Sequence, residues 1–273
     1  MDSKAMTPDA LAWVDGAIVL ARDATVPLTD DGVLRGDGVF ETMLVRNGLI
    51  HALPEHHARL MRSAATLGLA VPDVITPMAE LLDAYGPHDG IAKIVLLRGG
   101  TLRLMVSAPA PWPGTLSLDV QDLPWGGPLA GAKTLSYALN QFCVRVAQEH
   151  GCDDALIVHD GQVRELAHGT IVLVEDSALI TADPTTAGIL KSVTLSVLAS
   201  LRPVRFEPVD SDRLATADEL FVLSATRLAV GVSRLRFPDG NYRTLDAPGP
   251  LTCDANAALE AHVDTHAARP SLH

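Results

Sequence analysis

A lysine set in a stretch of small residues just ahead of a helix is positioned by its backbone, and Lys133 in Gly131-Ala132-Lys133-Thr134 has that setting. An amine withdrawn from water sheds its proton near neutral pH and becomes both nucleophile and base. Most lysines are simply solvated, so Lys133 needs partners before it carries chemistry. Arg59 offers planar donors suited to a dianion, although an exposed helix arginine would look the same. The backbone N–H groups of Val193 and Thr194 open a predicted helix and form a second anion-binding feature, in which the Thr194 hydroxyl adds a bond or caps the helix. The tandem His56-His57 suggests a metal, but adjacent helical side chains diverge by about 100° and no carboxylate completes a set, so no metal is assigned. HExxH, GxSxG, P-loop and GxGxxG patterns are absent, which removes the enzyme classes those signatures mark.

These side chains need elements to hold them. Asn47-Gly48 between two apolar runs predicts a β-hairpin. Leu60, Met61, Ala64, Ala65 and Leu67 fall at helical spacing, with Pro54 near the start and Gly68 near the end, which predicts a helix over 54–68. A shorter helix is expected over 78–85, then strands over 91–97 and 102–107. The proline- and glycine-rich run from 108 to 132 contains one possible strand, 116–120, and reads as an interdomain connection. Beyond it the pattern predicts helices over 135–150, 193–201 and 257–266, and strands over 155–159, 169–174, 178–181 and 220–224. Asp160-Gly161-Gln162-Val163-Arg164-Glu165 reads as strand and turn, a hairpin with Glu165 at its far end. The expected organisation is a small α+β domain over 1–107, a linker over 108–120 and a larger domain over 121–273.

Arg35 to Thr42 (Arg-Gly-Asp-Gly-Val-Phe-Glu-Thr), His57-Ala58-Arg59-Leu60, Lys133 to Tyr137 (Lys-Thr-Leu-Ser-Tyr), Gly161 to Glu165 and Ile189 to Thr194 occur in this order and at these separations. The ordered set resembles the class IV pyridoxal-phosphate enzymes: branched-chain aminotransferase, D-amino-acid aminotransferase and 4-amino-4-deoxychorismate lyase. It spans roughly residues 28 to 232. The resemblance implies a two-lobe α+β fold of the class IV aminotransferase kind, with the cofactor in the cleft between lobes, and a homodimer. It also implies that Lys133 forms the Schiff base with pyridoxal phosphate and shuttles a proton, and that Glu165 pairs with the pyridinium nitrogen. Arg59, Val193, Thr194 and Thr226 would hold the phosphate, and Tyr137 the phenolic oxygen, a core tyrosine being the alternative. Phe40 would line the substrate pocket or pack in the core. Arg98 and Arg103 compete for the substrate carboxylate, a question of strand parity. His168 is a candidate on the substrate side or a structural histidine. Ser192 stands where the family carries glycine, and a positive φ there would cost serine about 1 kcal/mol.

The implied activity is pyruvate elimination from 4-amino-4-deoxychorismate, with transamination of D-amino or branched-chain amino acids as the alternative and a cofactor-binding but silent relative as a third reading. Composition sets the outer limits. A chain of 273 residues with 48% hydrophobic and 20% charged residues is globular rather than disordered. A formal net charge of −12 supplies no global field for nucleic acid or acidic lipid. No apolar stretch approaches membrane-spanning length, and the N-terminus lacks a basic segment followed by an apolar one, so a cytoplasmic protein is expected. Three cysteines without CxxC spacing read as reduced and mostly structural.

Overall fold

The computed structural model describes residues 8–271. The described residues divide into two compact units, the first comprising 8–111, 132–136 and 262–271, the second 112–131 and 137–261. The expected linker 108–120 is thus split after Pro111, and its second half already enters a strand.

The first unit is built on a six-stranded antiparallel sheet. Its strands are β1 (Leu11–Val14), β2 (Ala17–Leu20), β3 (Gly38–Arg46), β4 (Leu49–Ile50), β5 (Gly90–Leu97) and β6 (Leu102–Ser107), in the order β2-β1-β6-β5-β3-β4. Three helices accompany it: α1 (Asp31–Arg35), α2 (Leu53–Leu67) and α3 (Ile75–Tyr85). The β3–β4 turn has Asn47 at φ +52° and Gly48 at φ +74°, the two left-handed residues that the tightest hairpin turn demands. Helix α2 ends at Gly68, which takes the left-handed cap conformation. Strand β3 is buried on alternate positions Val39, Glu41, Met43 and Val45. Its apolar members on that face join Leu60, Leu81 and Ile94 in one core.

The second unit holds a nine-stranded mixed sheet. In chain order its elements are β7 (Leu116–Asp122), α4 (Ala138–Glu149), β8 (Asp154–His159), β9 (Gln162–Leu166), β10 (Thr170–Glu175), β11 (Ala178–Thr181), α5 (Pro184–Ala187), α6 (Val193–Leu201), β12 (Val204–Phe206), β13 (Glu219–Ser224), β14 (Leu228–Arg236), β15 (Tyr242–Thr244) and α7 (Pro250–His266), whose residues from His262 on belong to the first unit. The strand order is β12-β11-β10-β13-β14-β7-β8-β9, with β15 on β14. Leu118, Leu156, Leu173, Val222 and Val232 form the centre of its core. The nine-residue β14 has no counterpart in the sequence-based expectations.

Helix α4 starts at Ala138, later than the expected 135, because the residues before it are bound elsewhere. Thr134 bridges Val39 of β3, Phe40 N–H donates to the Lys133 carbonyl at 3.1 Å, and Leu135 N–H donates to the Gly38 carbonyl at 2.8 Å. A Cβ on Gly38 would come within 2.5 Å of the Leu96 carbonyl, so only glycine lets β3 be paired this closely on both edges. No helix among the described residues is long and apolar enough to cross a membrane.

Candidate active site

In the first unit the site residues gather around the N-terminal half of β3. Lys133 is half-buried, its main chain held by Phe40 and by a 3.0 Å bond from its own N–H to Ser63 Oγ on α2. The Lys133 ammonium lies 4.3 Å from the centre of the Phe40 ring. An ammonium over an aromatic face is attracted by the ring quadrupole. Phe40 therefore stands apart from the core face of β3 and forms the floor beneath the amine.

On the other face of β3, Glu41 is wholly buried and receives Arg59 Nε at 2.7 Å on one oxygen and an Arg59 terminal nitrogen at 2.7 Å on the other. His56 Nδ1 lies 2.8 Å from Glu41. Burial alone would raise the Glu41 pKa, but the hydrogen bonds from Arg59 and His56 outweigh it and hold the carboxyl down at about 2. His56 is pushed down by burial, against the pull of Glu41. Arg59 is thereby fixed on one edge of its fork, and His56 is held beside the same carboxylate. Glu41 received no role from sequence, although its parity with Val39 and Met43 marks a charged residue pointing into a core.

Arg98 and Arg103 are both committed to carboxylates. Arg98 makes a two-pronged pair with Asp37 at 2.7 and 2.9 Å and donates to the Leu67 carbonyl at 2.7 Å. Arg103 makes a similar pair with Asp15, both bonds at 2.9 Å, and donates to the Thr25 carbonyl.

In the second unit, the β8–β9 hairpin turns at Asp160-Gly161 and presents Glu165 near the end of β9. The two Glu165 oxygens accept from Trp125 Nε1 at 2.9 Å and from the Leu190 N–H at 3.2 Å, which fixes the plane of the carboxylate. Trp125 was not singled out by sequence, since it lies in the Pro/Gly-rich run. Tyr137 precedes α4, with its carbonyl accepting from Gln141, and stacks on His168 at 6.3 Å between ring centres. His168 Nε2 accepts from Gln141 at 2.8 Å, and its Nδ1 lies 3.6 Å from Asp154.

Ser192 caps α6 with φ −70° and accepts the Leu195 N–H at 3.1 Å, so serine meets no left-handed strain at this position. The N–H groups of Val193 and Thr194 find no acceptor among the described residues. Thr226 lies in the turn joining β13 to β14, next to Ser224, whose buried Oγ also lacks a partner. Unpaired donors at a helix start and a buried hydroxyl without a partner have the donor chemistry that a phosphate requires.

Each unit thus carries groups with the chemistry that a phosphorylated aldehyde cofactor needs: a lysine pinned by its backbone in the first, and a carboxylate held by two donors with helix-start N–H groups in the second. Residues 38–235, well over half of the chain, match the model of the amino-transferase class IV family, and the chain belongs to that family. D-alanine aminotransferase of Bacillus licheniformis is 27% identical over 93% of this chain and 98% of its own length. A putative branched-chain-amino-acid aminotransferase of Methanocaldococcus jannaschii is 31% identical over 88% and 92%. A bifunctional aminodeoxychorismate lyase / D-amino acid transaminase of Mycobacterium tuberculosis is 29% identical over 81% and 90%. Among solved structures, the PLP-bound form of a hypothetical aminotransferase from Mycobacterium tuberculosis superposes with a TM-score of 0.81 at 26% identity, covering 94% of this chain and 99% of that one. The α+β fold is accordingly that of the class IV transaminases.

Proposed function

We propose that the protein is a pyridoxal-phosphate-dependent transaminase of D-amino acids. The observation that carries the reading is Lys133, whose main chain is locked to β3 and α2 while its amine rests over Phe40. The D-alanine aminotransferase relative, which aligns with nearly the whole chain, supports the choice of substrate class.

When bound, pyridoxal phosphate supplies an electron sink for the charge that forms at the substrate α-carbon. Lys133 would hold the cofactor covalently and would serve as the base that takes up and returns the proton of the substrate α-carbon. Glu165, kept in plane by Trp125 and Leu190, holds a proton at the ring nitrogen. Val193, Thr194 and Thr226 would donate to the phosphate, and Arg59, braced by Glu41 and His56, would contribute a charge to it. Tyr137 donates to the phenolic oxygen. Phe40 and His168 face the substrate.

A second reading is pyruvate elimination from 4-amino-4-deoxychorismate, favoured by the Mycobacterium tuberculosis relative that combines both activities. Lys133 would take the proton from the carbon bearing the amine, and loss of enolpyruvate would aromatise the ring to 4-aminobenzoate.

The test is to incubate the loaded protein with D-alanine and 2-oxoglutarate, with L-leucine and 2-oxoglutarate, and with 4-amino-4-deoxychorismate. Pyruvate and glutamate from the first mixture support the proposal. Turnover of L-leucine alone, or release of 4-aminobenzoate with no amino exchange, replaces it. Absence of a visible cofactor band and of cofactor mass on the Lys133 peptide after borohydride removes it altogether.

A further inference from the structure

The turn between β13 and β14 carries a buried guanidinium that the chemistry proposed above does not use. The Arg227 side chain is 5% exposed, and among the described residues it makes no hydrogen bond. The guanidinium Nε is buried without a partner among the described residues, and a buried donor left without an acceptor costs more than one surface contact returns. The Trp112 ring lies 4.0 Å from the guanidinium carbon and covers one face of it. The sole ion-pair contact among the described residues is Asp154 at 3.8 Å, beyond hydrogen-bond reach.

Asp154 is itself divided. Its Oδ1 accepts the Ala155 N–H at 2.8 Å, and its Oδ2 lies 3.6 Å from His168 Nδ1. Burial draws the Arg227 pKa down from its usual range, against the pull of Asp154. The adjoining backbone is constrained, since Leu228 sits at φ +56°, a left-handed conformation seldom taken by leucine. Three residues before Arg227, the buried Ser224 hydroxyl is also unpaired.

Two neighbouring unsatisfied groups, one cationic, call for an anion. A guanidinium stacked on one face offers its edge, the geometry of two-pronged carboxylate recognition. Partial neutralisation by Asp154 suits a single negative charge better than a dianion.

We infer that Arg227, with Ser224 beside it, is a specificity-determining residue that binds a carboxylate of the amino-acid substrate. The inference rests on the transaminase reading for the identity of that carboxylate. Arg98 and Arg103, the two arginines that sequence offered for this duty, are already paired with Asp37 and Asp15.

The experiment is calorimetric titration of pyridoxal-phosphate-loaded protein with maleate, a dicarboxylate that does not react, for the wild type, Arg227→Gln and Arg227→Lys. Fold is checked by circular dichroism and cofactor loading by visible absorbance. At least tenfold weaker maleate binding in Arg227→Gln, with partial recovery in Arg227→Lys and loading unchanged, is expected. Equal affinity in all three proteins overturns the inference. Lost loading with unchanged maleate affinity assigns Arg227 to the cofactor phosphate and overturns it too. Loss of fold in both variants makes the guanidinium structural and overturns it equally. A wild type that takes up no pyridoxal phosphate would instead sink the transaminase reading.

Discussion

Glu41 and Arg59 meet as a two-pronged ion pair inside the first unit, with both bonds at 2.7 Å and the two side chains 0% and 7% exposed. A buried pair repays its desolvation only while both partners remain. Glu41→Gln leaves the guanidinium uncompensated and is expected to cost about 3–5 kcal/mol in urea unfolding. Because the folded carboxyl sits at about 2, its contribution is complete above the ordinary glutamate range and fades as pH falls from about 4.5 toward 2. In Glu41→Gln that acid-dependent fade should be absent.

His51 makes an opposite use of burial. It is 5% exposed, its Nε2 lies 2.9 Å from His262 Nδ1, and the ring of His262 stacks on that of His266 at 3.9 Å. Burial and the neighbouring His262 depress the His51 pKa to about 4. A base whose folded pKa lies below its unfolded value stabilises the protein above about 6.5 and loses that contribution as pH falls toward 4. Thermal unfolding from pH 7 to 4.5 should show a loss of about 2 kcal/mol, reduced in His51→Gln. The backbone bridge between Ile50 and Ala268 should open alongside it, as read by amide exchange.

Ser192 tests a helix cap. Ser192→Ala removes the acceptor of the Leu195 N–H and should lower stability by about 1 kcal/mol, whereas Ser192→Gly should cost only a few tenths. Thermal melts of the two variants decide it, and equal losses would discount the cap.

Lys133→Ala keeps every backbone bond of the segment, since Ser63, Phe40 and Gly38 engage main-chain atoms. The variant should melt within about 1 kcal/mol of the wild type. It should nevertheless show no borohydride-fixed cofactor mass and no turnover. Full activity in this variant would remove the lysine from the chemistry.

Trp125→Phe removes the donor at 2.9 Å from Glu165 while leaving the Leu190 N–H in place. A five- to tenfold fall in kcat is expected, with a shift of the cofactor absorbance maximum that a purely structural tryptophan would not cause. Unchanged kcat and spectrum would relieve Trp125 of that duty.

Local patterns were readable wherever one stretch of chain decides its own structure. Asn47-Gly48 can adopt the hairpin turn without a partner, and Pro54 and Gly68 bracket α2, whereas the cap of α6 is Ser192 rather than the expected Thr194. The ordered motifs around Phe40, Arg59, Lys133 and Glu165 were legible as a family resemblance, and the family is the one the chain matches. The nine residues of β14 escaped notice because their pattern is a strand only beside β13 and β7.

By itself the amino-acid sequence determined many of the local elements and the family resemblance, and it singled out Lys133 as the amine to test. Tertiary structure decided which charges are spent and which are left over. Arg98 and Asp37, Arg103 and Asp15, and Arg59 and Glu41 are separated by between 18 and 88 residues, so their pairing depends on how strands and helices pack rather than on any local spacing. Arg227 looks like any other arginine in the sequence. Only packing beneath Trp112, with Nε left without a partner among the described residues, sets it apart.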